Sequence, residues 1–101
     1  MKKLECIIRP DKLSVVEQAL RAEHIGGMTI TEVKGFGRQR RQASTKIKLE
    51  LYAMDMELEQ IVKVIRLAAY TGKVGDGKIA ILPMDNVIRI RTQEQGAKAL
   101  L

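Results

Sequence analysis

The segment Gly72-Lys73-Val74-Gly75-Asp76-Gly77-Lys78 combines three glycines with two lysines. Glycines allow several backbone N–H groups to turn toward one anion, and the lysines add positive charge around it. The spacing fits GxxxxGK, but Ile79 stands where a P-loop needs Ser or Thr, and the segment lies between a predicted helix and a predicted strand. These features exclude a P-loop NTPase and favour an anion-binding turn suited to phosphate. The alternative is a helix-to-strand turn without a ligand.

A second feature is the uneven distribution of positive charge. The window Lys34–Lys48 holds six Lys and Arg residues and no acid, whereas basic and acidic residues balance in the rest of the chain. Such a window favours an anionic partner, and the alternative is a solvated loop. Within it, Gly35-Phe36-Gly37-Arg38-Gln39 lacks the third glycine of a dinucleotide fingerprint, but it adds a second glycine-flanked, arginine-bearing turn.

Two further arginines, Arg89 and Arg91, lie two positions apart in a segment that we predict to be extended, Val87–Arg91. Side chains at this spacing project from the same side of an extended chain. Two guanidinium groups on one side suit phosphate oxygens. The alternative is a pair of exposed charges on an edge strand.

Catalytic chemistry finds little support in the residue types present. The chain has one histidine, His24, and one cysteine, Cys6, which alternates with Leu4 and Ile8 as a core residue would. Nucleophile, base and orienting group cannot be assembled from this set, and no disulfide framework or thiolate zinc cluster is available. We therefore expect no enzymatic activity.

The elements that position these residues follow from hydrophobic periodicity. Apolar residues alternate in Leu4–Ile8 and in Ile47–Leu51, which is typical of half-buried strands. They recur at helical spacing between Leu13 and Ile25, where Asp11 or Ser14 would cap the helix, and between Leu58 and Ala69, where Asp55 would cap it. Further strands are predicted at Met28–Lys34 and Lys78–Leu82.

The order strand, helix, strand, strand, helix, strand predicts an α+β, ferredoxin-like split βαβ fold (βαββαβ), with a four-stranded antiparallel sheet and both helices on one face. The 101 residues, 46% of them hydrophobic, fit a single domain spanning 1–101. No apolar run is long enough to span a bilayer and no signal peptide opens the chain, so we expect a cytoplasmic protein. A core this small also favours oligomerisation.

Three stretches closely resemble the PII family of nitrogen-regulatory signal-transduction proteins: MKKLECIIRP, GGMTITEVKGFGRQ and TGKVGDGKIAILPMDNVIRIRT. The resemblance covers nearly the whole chain except residues 40–45. It implies a homotrimer that binds ATP or ADP in clefts between neighbouring subunits. It also implies that the protein regulates partners by contact, such as an ammonium transporter or a nitrogen-assimilation enzyme, and carries out no fast chemistry.

The resemblance also implies a role for each matching residue. The residues expected around the adenine are Ile7, Thr29, Gly35 and Tyr52. Those expected at the nucleotide-facing base of the family's long T-loop are Gly37, Arg38 and Gln39. The phosphates would be held by Gly75, Gly77, Lys78, Arg89 and Arg91. Gln39 also matches the residue that helps hold Mg²⁺, and Lys46 matches the lysine that pairs with 2-oxoglutarate.

One departure from the family concerns the loop between the second and third strands, residues 36–46, which is a shortened T-loop. Only six residues, Arg40–Thr45, separate Gln39 from Lys46, and none is a tyrosine, which excludes uridylylation of the family kind. Arg41 stands where the family has a glycine whose backbone approaches 2-oxoglutarate. We therefore expect nucleotide binding with weak or no binding of 2-oxoglutarate.

Two other functions compete with a nucleotide sensor. A ferredoxin-like nucleic-acid-binding domain would use the basic window, but single-stranded RNA recognition needs aromatic platforms on the sheet, and only Phe36, Tyr52 and Tyr70 are aromatic. We therefore expect no nucleic-acid partner. A PII paralogue without effector response is the other alternative. Titration with adenine nucleotides and 2-oxoglutarate separates the three.

Overall fold

Strands β1 (Lys2–Ile8) and β3 (Ser44–Ala53) form the centre of the sheet in the computed structural model, which describes residues 1–101. Their alternating apolar residues face one another in register, because Leu4 pairs with Leu51 and Cys6 pairs with Leu49. Strands β2 (Thr29–Gly35) and β4 (Lys78–Pro83) complete an antiparallel sheet in the order β2-β3-β1-β4. This is the predicted ferredoxin-like arrangement.

Helices α1 (Leu13–Ala22) and α2 (Asp55–Ala69) pack on one face of this sheet. Val16 and Leu20 of α1 and Ile61 and Ile65 of α2 join the apolar residues of β1 and β3 in one core. Only 12 of the 101 residues are buried, all of them hydrophobic. A single chain therefore has a small core, and large apolar side chains remain on its surface.

Both predicted helix caps are wrong. A 3₁₀ turn at Pro10–Lys12 precedes α1, so the helix begins at Leu13 after Lys12, and no side chain caps it. Helix α2 begins at Asp55, one residue earlier than a cap at that position would allow. The Met54 N–H donates instead to the Glu57 carboxylate over 2.9 Å. Asp55 pairs with the Lys2 ammonium at 3.4 Å.

The loop between β2 and β3 is shorter than the predicted range 36–46. Pairing of the two strands continues to Gly35 and Ser44, so the loop comprises residues 36–43. Lys46 consequently lies within β3, where its position is fixed by the sheet rather than by the loop.

The predicted extended segment Val87–Arg91 is also corrected. Only Ile88 forms a strand-like bridge, with Gln95, and residues 90–92 form a turn. Gln93, at φ 62°, allows its N–H to donate to the Arg89 carbonyl over 2.8 Å, and this bond closes the turn. Arg89 and Arg91 therefore do not occupy same-side positions of a strand. A second 3₁₀ turn, Gly96–Leu100, follows.

Candidate functional site

The glycine-rich turn after α2 is organised around the carboxylate of Asp76. This carboxylate accepts hydrogen bonds from the Thr71 N–H at 2.8 Å, the Gly72 N–H at 2.9 Å and the Thr71 hydroxyl. The Arg9 Nε donates to it as well, over 2.9 Å. These donors, the Thr71 hydroxyl foremost, hold the pKa of Asp76 well below its ordinary value. The predicted anion-binding turn is thus partly occupied by an anion of the chain itself, the Asp76 carboxylate.

The remaining amides of the turn are available to a ligand. The N–H groups of Val74, Gly75 and Asp76 donate no hydrogen bond within the chain. Gly75 has φ +105°, a conformation that side-chain-bearing residues rarely adopt. Glycine at this position therefore turns consecutive amides in the way that anion binding requires.

Three cations converge on Gly75. A Cβ atom placed on Gly75 would lie 3.2 Å from the Lys46 Nζ, 3.3 Å from an Arg40 guanidinium nitrogen and 3.4 Å from an Arg9 guanidinium nitrogen. We call Arg9, Arg40 and Lys46 the Gly75 cluster. Lys46 donates to the Gly75 carbonyl over 2.6 Å, and Arg9 donates to the Val74 carbonyl over 2.7 Å.

Positive charge exceeds negative charge in this cluster. Asp76 is the one carboxylate that contacts it, and that group already accepts four hydrogen bonds. The pKa of Lys46 is lowered, first by burial and then by repulsion from Arg9 and Arg40. A bound anion would relieve this repulsion, so the cluster is suited to phosphate or carboxylate groups.

Gly77 brings the turn against β1. It has φ +100°, and a Cβ there would lie 1.6 Å from the Ile7 carbonyl oxygen. Only glycine permits this approach, which leads directly into the pairing of Ile7 with Lys78. An apolar cavity of about 330 Å³ opens beside this pair. It is lined by Ile7 and Lys78 together with Ile65 and Tyr70 at the end of α2.

The loop of residues 36–43 projects from the same end of the sheet. It is narrowed by a hydrogen bond of 2.8 Å from the Gly37 N–H to the Arg40 carbonyl. The Phe36 side chain is 76% exposed, and an open cavity of about 610 Å³ lies among Phe36, Gly37, Arg38 and Arg41. Gln39 is exposed on this loop.

Within one chain the predicted site residues separate into two groups. The first group lies at the end of the sheet that carries the glycine-rich turn and comprises Ile7, Gly35, Gly37, Arg38, Gln39, Lys46, Gly75, Gly77 and Lys78. Thr29 and Tyr52 lie at the opposite end, paired with Glu50 and Lys3 respectively. Lys46 and Tyr52 are six positions apart along β3, which is about 20 Å at the rise of a strand.

Arg89 lies with the second group, and Arg91 follows it two residues later in the chain. Arg89 donates to the Glu94 carboxylate at 2.9 Å, to the Ala99 carbonyl at 3.2 Å and to the Leu101 carbonyl. The adjacent Leu100 carbonyl contacts Gly26, three residues before Thr29. Arg91 is exposed and forms no hydrogen bond or ion pair. One chain therefore does not assemble the complete set of predicted residues around one ligand.

Sequence reasoning missed Arg9, Arg40 and the internal role of Asp76. Arg40 was visible only as one of six cations in the basic window. Arg9 follows β1 directly, and the antiparallel pairing of β1 with β4 places it beside the glycine-rich turn. That pairing was the signal from which Arg9 could have been found.

Comparison with known proteins agrees with this fold. The family model for Nitrogen regulatory protein P-II matches residues 1–94. The chain is 42% identical to the nitrogen regulatory protein P-II of Azospirillum brasilense and 46% identical to that of Pyropia yezoensis, in each case over 99% of this chain and 100% of the relative. Nitrogen regulatory protein GlnK of Escherichia coli (strain K12) is 42% identical over the same shares.

A solved structure is similarly close. The crystal structure of Arabidopsis thaliana PII bound to citrate matches with a TM-score of 0.89 and 40% identity, over 97% of this chain and 90% of that chain. No helix of the present chain has both the length and the apolar character that crossing a membrane requires.

Replacing Asp76 with Asn tests whether this carboxylate organises the turn. The charge-assisted bonds to Arg9 and Thr71 are lost, so we expect a lower melting temperature at pH 7, whereas Asp85→Asn, at an exposed bend without partners, should change little. Because the folded pKa lies below the ordinary 3.8, this stabilisation is complete above about pH 4 and declines as pH falls further. Thermal unfolding between pH 7 and pH 3 measures it, and a difference between wild type and Asp76→Asn that does not shrink at low pH would contradict it.

Proposed function

Because the chain belongs to the nitrogen regulatory protein P-II family, we propose that it senses ATP or ADP and regulates partner proteins by direct contact. Its relatives are regulatory proteins, and the chain is not an enzyme. The observation that carries the proposal is the Gly75 cluster, in which three cations surround a glycine whose neighbouring amides are unpaired.

Each part of the first group has a distinct task in nucleotide binding. The amides of Val74–Asp76 donate to phosphate oxygens, and the Gly75 cluster with Lys78 supplies the positive charge. Ile7 and the apolar cavity beside it provide a surface for part of the adenine. Gly35, Gly37 and Arg38 lie where the loop would approach the same ligand.

Magnesium would be held mainly by the nucleotide itself. Mg²⁺ commonly keeps several waters and uses substrate phosphates with one or two protein oxygens. No group of three or more acidic, His or Cys side chains forms a metal site, and Asp76 is engaged by Thr71, Gly72 and Arg9. The Gln39 amide oxygen, exposed on the loop, is the protein ligand that fits this arrangement.

The separation of the site residues favours a site shared between copies of the chain. The first group would come from one subunit, and Thr29, Tyr52, Arg89 and Arg91 would come from its neighbour. The small core supports association, as do exposed apolar side chains such as Ile81 and Leu82. A closed homotrimer with three equivalent clefts, as the family resemblance implies, would complete each site between two subunits and cover exposed apolar side chains.

The loop of residues 36–43 would be the contact with a regulated protein. It lies beside the nucleotide site, carries the exposed Phe36 and is strongly basic. The alignments with relatives span 112 positions against 101 residues in the chain, a difference for which a shortened T-loop would account. We propose a cytoplasmic protein that controls an ammonium transporter or a nitrogen-assimilation enzyme.

Arg40→Ala and Arg91→Ala test the nucleotide site from its two sides. Neither side chain forms a hydrogen bond within the chain, so their removal should leave folding intact and weaken both ATP and ADP by about 1.5–3 kcal/mol per lost charge-assisted contact. Calorimetric titration measures the affinities. Arg21→Ala, a 77% exposed cation on α1, is the matched control and should bind like wild type. If both test variants bind ATP and ADP as tightly as wild type, the nucleotide does not bind at this position.

Subunit complementation tests the shared cleft. Light scattering should give three times the mass of one chain, and a monomer would contradict the trimer. When Arg40→Ala and Arg91→Ala chains are co-expressed, about a quarter of the clefts should combine an intact half from each and bind ATP with wild-type affinity. A site built within one chain would give no such recovery.

The response to 2-oxoglutarate tests the short loop. Arg41 cannot cheaply adopt glycine-only backbone angles, and the loop retains few amides for a dicarboxylate. With the protein saturated with MgATP, we therefore expect 2-oxoglutarate to bind weakly, through the charges of the Gly75 cluster alone. Added salt should screen these charges and weaken the binding of 2-oxoglutarate further. Calorimetry at two salt concentrations measures it, with citrate as the comparison because the Arabidopsis relative is described with that anion. Tight binding that does not depend on salt would contradict the expectation.

A further inference from the structure

The last six residues, Gly96–Leu101, which we call the C-terminal segment, are held in place largely by one arginine. The guanidinium of Arg89 donates to the Ala99 carbonyl and to the Leu101 carbonyl. At the other end of the segment, the Gly96 N–H donates to the Val87 carbonyl over 3.0 Å. Arg89 is thus engaged by backbone oxygens of the C-terminal segment through Nη2, while its Nη1 donates to the Glu94 carboxylate over 2.9 Å.

The Gly96 N–H also lies 3.2 Å from the Asn86 side-chain oxygen, and a close backbone contact at Gly26 is a further attachment of the C-terminal segment. A Cβ atom on Gly26 would lie 2.7 Å from the Leu100 carbonyl oxygen, so even a methyl group there would displace the segment. The segment is a short 3₁₀ turn that contributes no residue to the core, and Leu101 is 91% exposed. Few buried contacts oppose its release, which is typical of regions that open locally.

Phosphate and the C-terminal segment would use the same donors. A guanidinium forms stronger hydrogen bonds to the charged oxygens of a phosphate than to a neutral carbonyl such as that of Ala99. We propose that the C-terminal segment is an intrachain competitor that occupies Arg89 until a nucleotide phosphate displaces it. This inference rests on the proposed function, in which Arg89 faces the phosphates of a nucleotide bound to the neighbouring subunit.

The competition has a reciprocal consequence. If release of the segment strengthens nucleotide binding, nucleotide binding must release the segment to the same extent. Residues Gly96–Leu101 would then be ordered when the cleft is empty and released when a nucleotide is bound. This change would take place away from the loop of residues 36–43. A partner able to bind the released segment would recognise only the occupied state.

Two variants weaken the segment without changing Arg89. In the full-length chain, Gly26→Ala should tighten ATP and ADP about two- to threefold by pushing Leu100 away. A chain ending at Gln95 should tighten them about tenfold, as expected for the loss of two competing hydrogen bonds. Gly27→Ala is the matched control, because a Cβ there meets no atom within 4 Å, and it should bind like wild type.

Arg89→Ala separates failure of this inference from failure of the proposed function. The Arg89→Ala substitution should weaken nucleotide binding. In a chain that carries Arg89→Ala, removal of residues 96–101 should change the nucleotide affinity by less than twofold. Saturating ATP should also accelerate amide hydrogen exchange in residues 96–101. If Arg89→Ala weakens binding but neither Gly26→Ala nor truncation tightens it, the competition is overturned while the nucleotide site stands. If neither the full-length nor the truncated chain binds nucleotide, both proposals are overturned.

Discussion

The hydrogen bonding of one carboxylate, Asp76, determines how the rest of the site is arranged. By accepting from Thr71, Gly72 and Arg9, it closes the start of the turn and fixes Arg9 beside Gly75. The amides of Val74–Asp76 then have no partner within the chain. An internal anion thus completes one part of the turn and leaves the other part able to accept an external one.

Much of this fold could be predicted because its strongest sequence signals are local. Alternation in β1 and β3 predicts two central strands, and the glycines before β4 mark a turn with unusual backbone angles. The errors occurred where a competing local interaction determined the outcome. A 3₁₀ turn replaced the expected cap of α1, and the turn at Gln93 separated Arg89 from Arg91. The convergence of Arg9, Arg40 and Lys46 could not be predicted from spacing, because it depends on pairing between distant strands and on a loop conformation.

The small core and the divided site have a common physical explanation. A chain that buries only 12 of its residues would gain stability by associating with copies of itself. If the proposed ligand contacts are divided between the two ends of the sheet, ligand binding would be sensitive to that association. In the proposed trimer, each nucleotide would join two subunits, so binding energy and assembly energy would be coupled.

The two halves of the site also differ in their electrostatic state before a ligand arrives. In the Gly75 cluster, burial and then repulsion from Arg9 and Arg40 lower the pKa of Lys46, and a bound anion would relieve that repulsion. Arg89, in contrast, already donates to Glu94, Ala99 and Leu101 and must exchange these partners. In the proposed site, the first half would therefore supply favourable binding energy, because its positive charge is not balanced by acidic groups. The second half would use part of that energy to rearrange, and such a rearrangement is what would convert ligand binding into a structural signal.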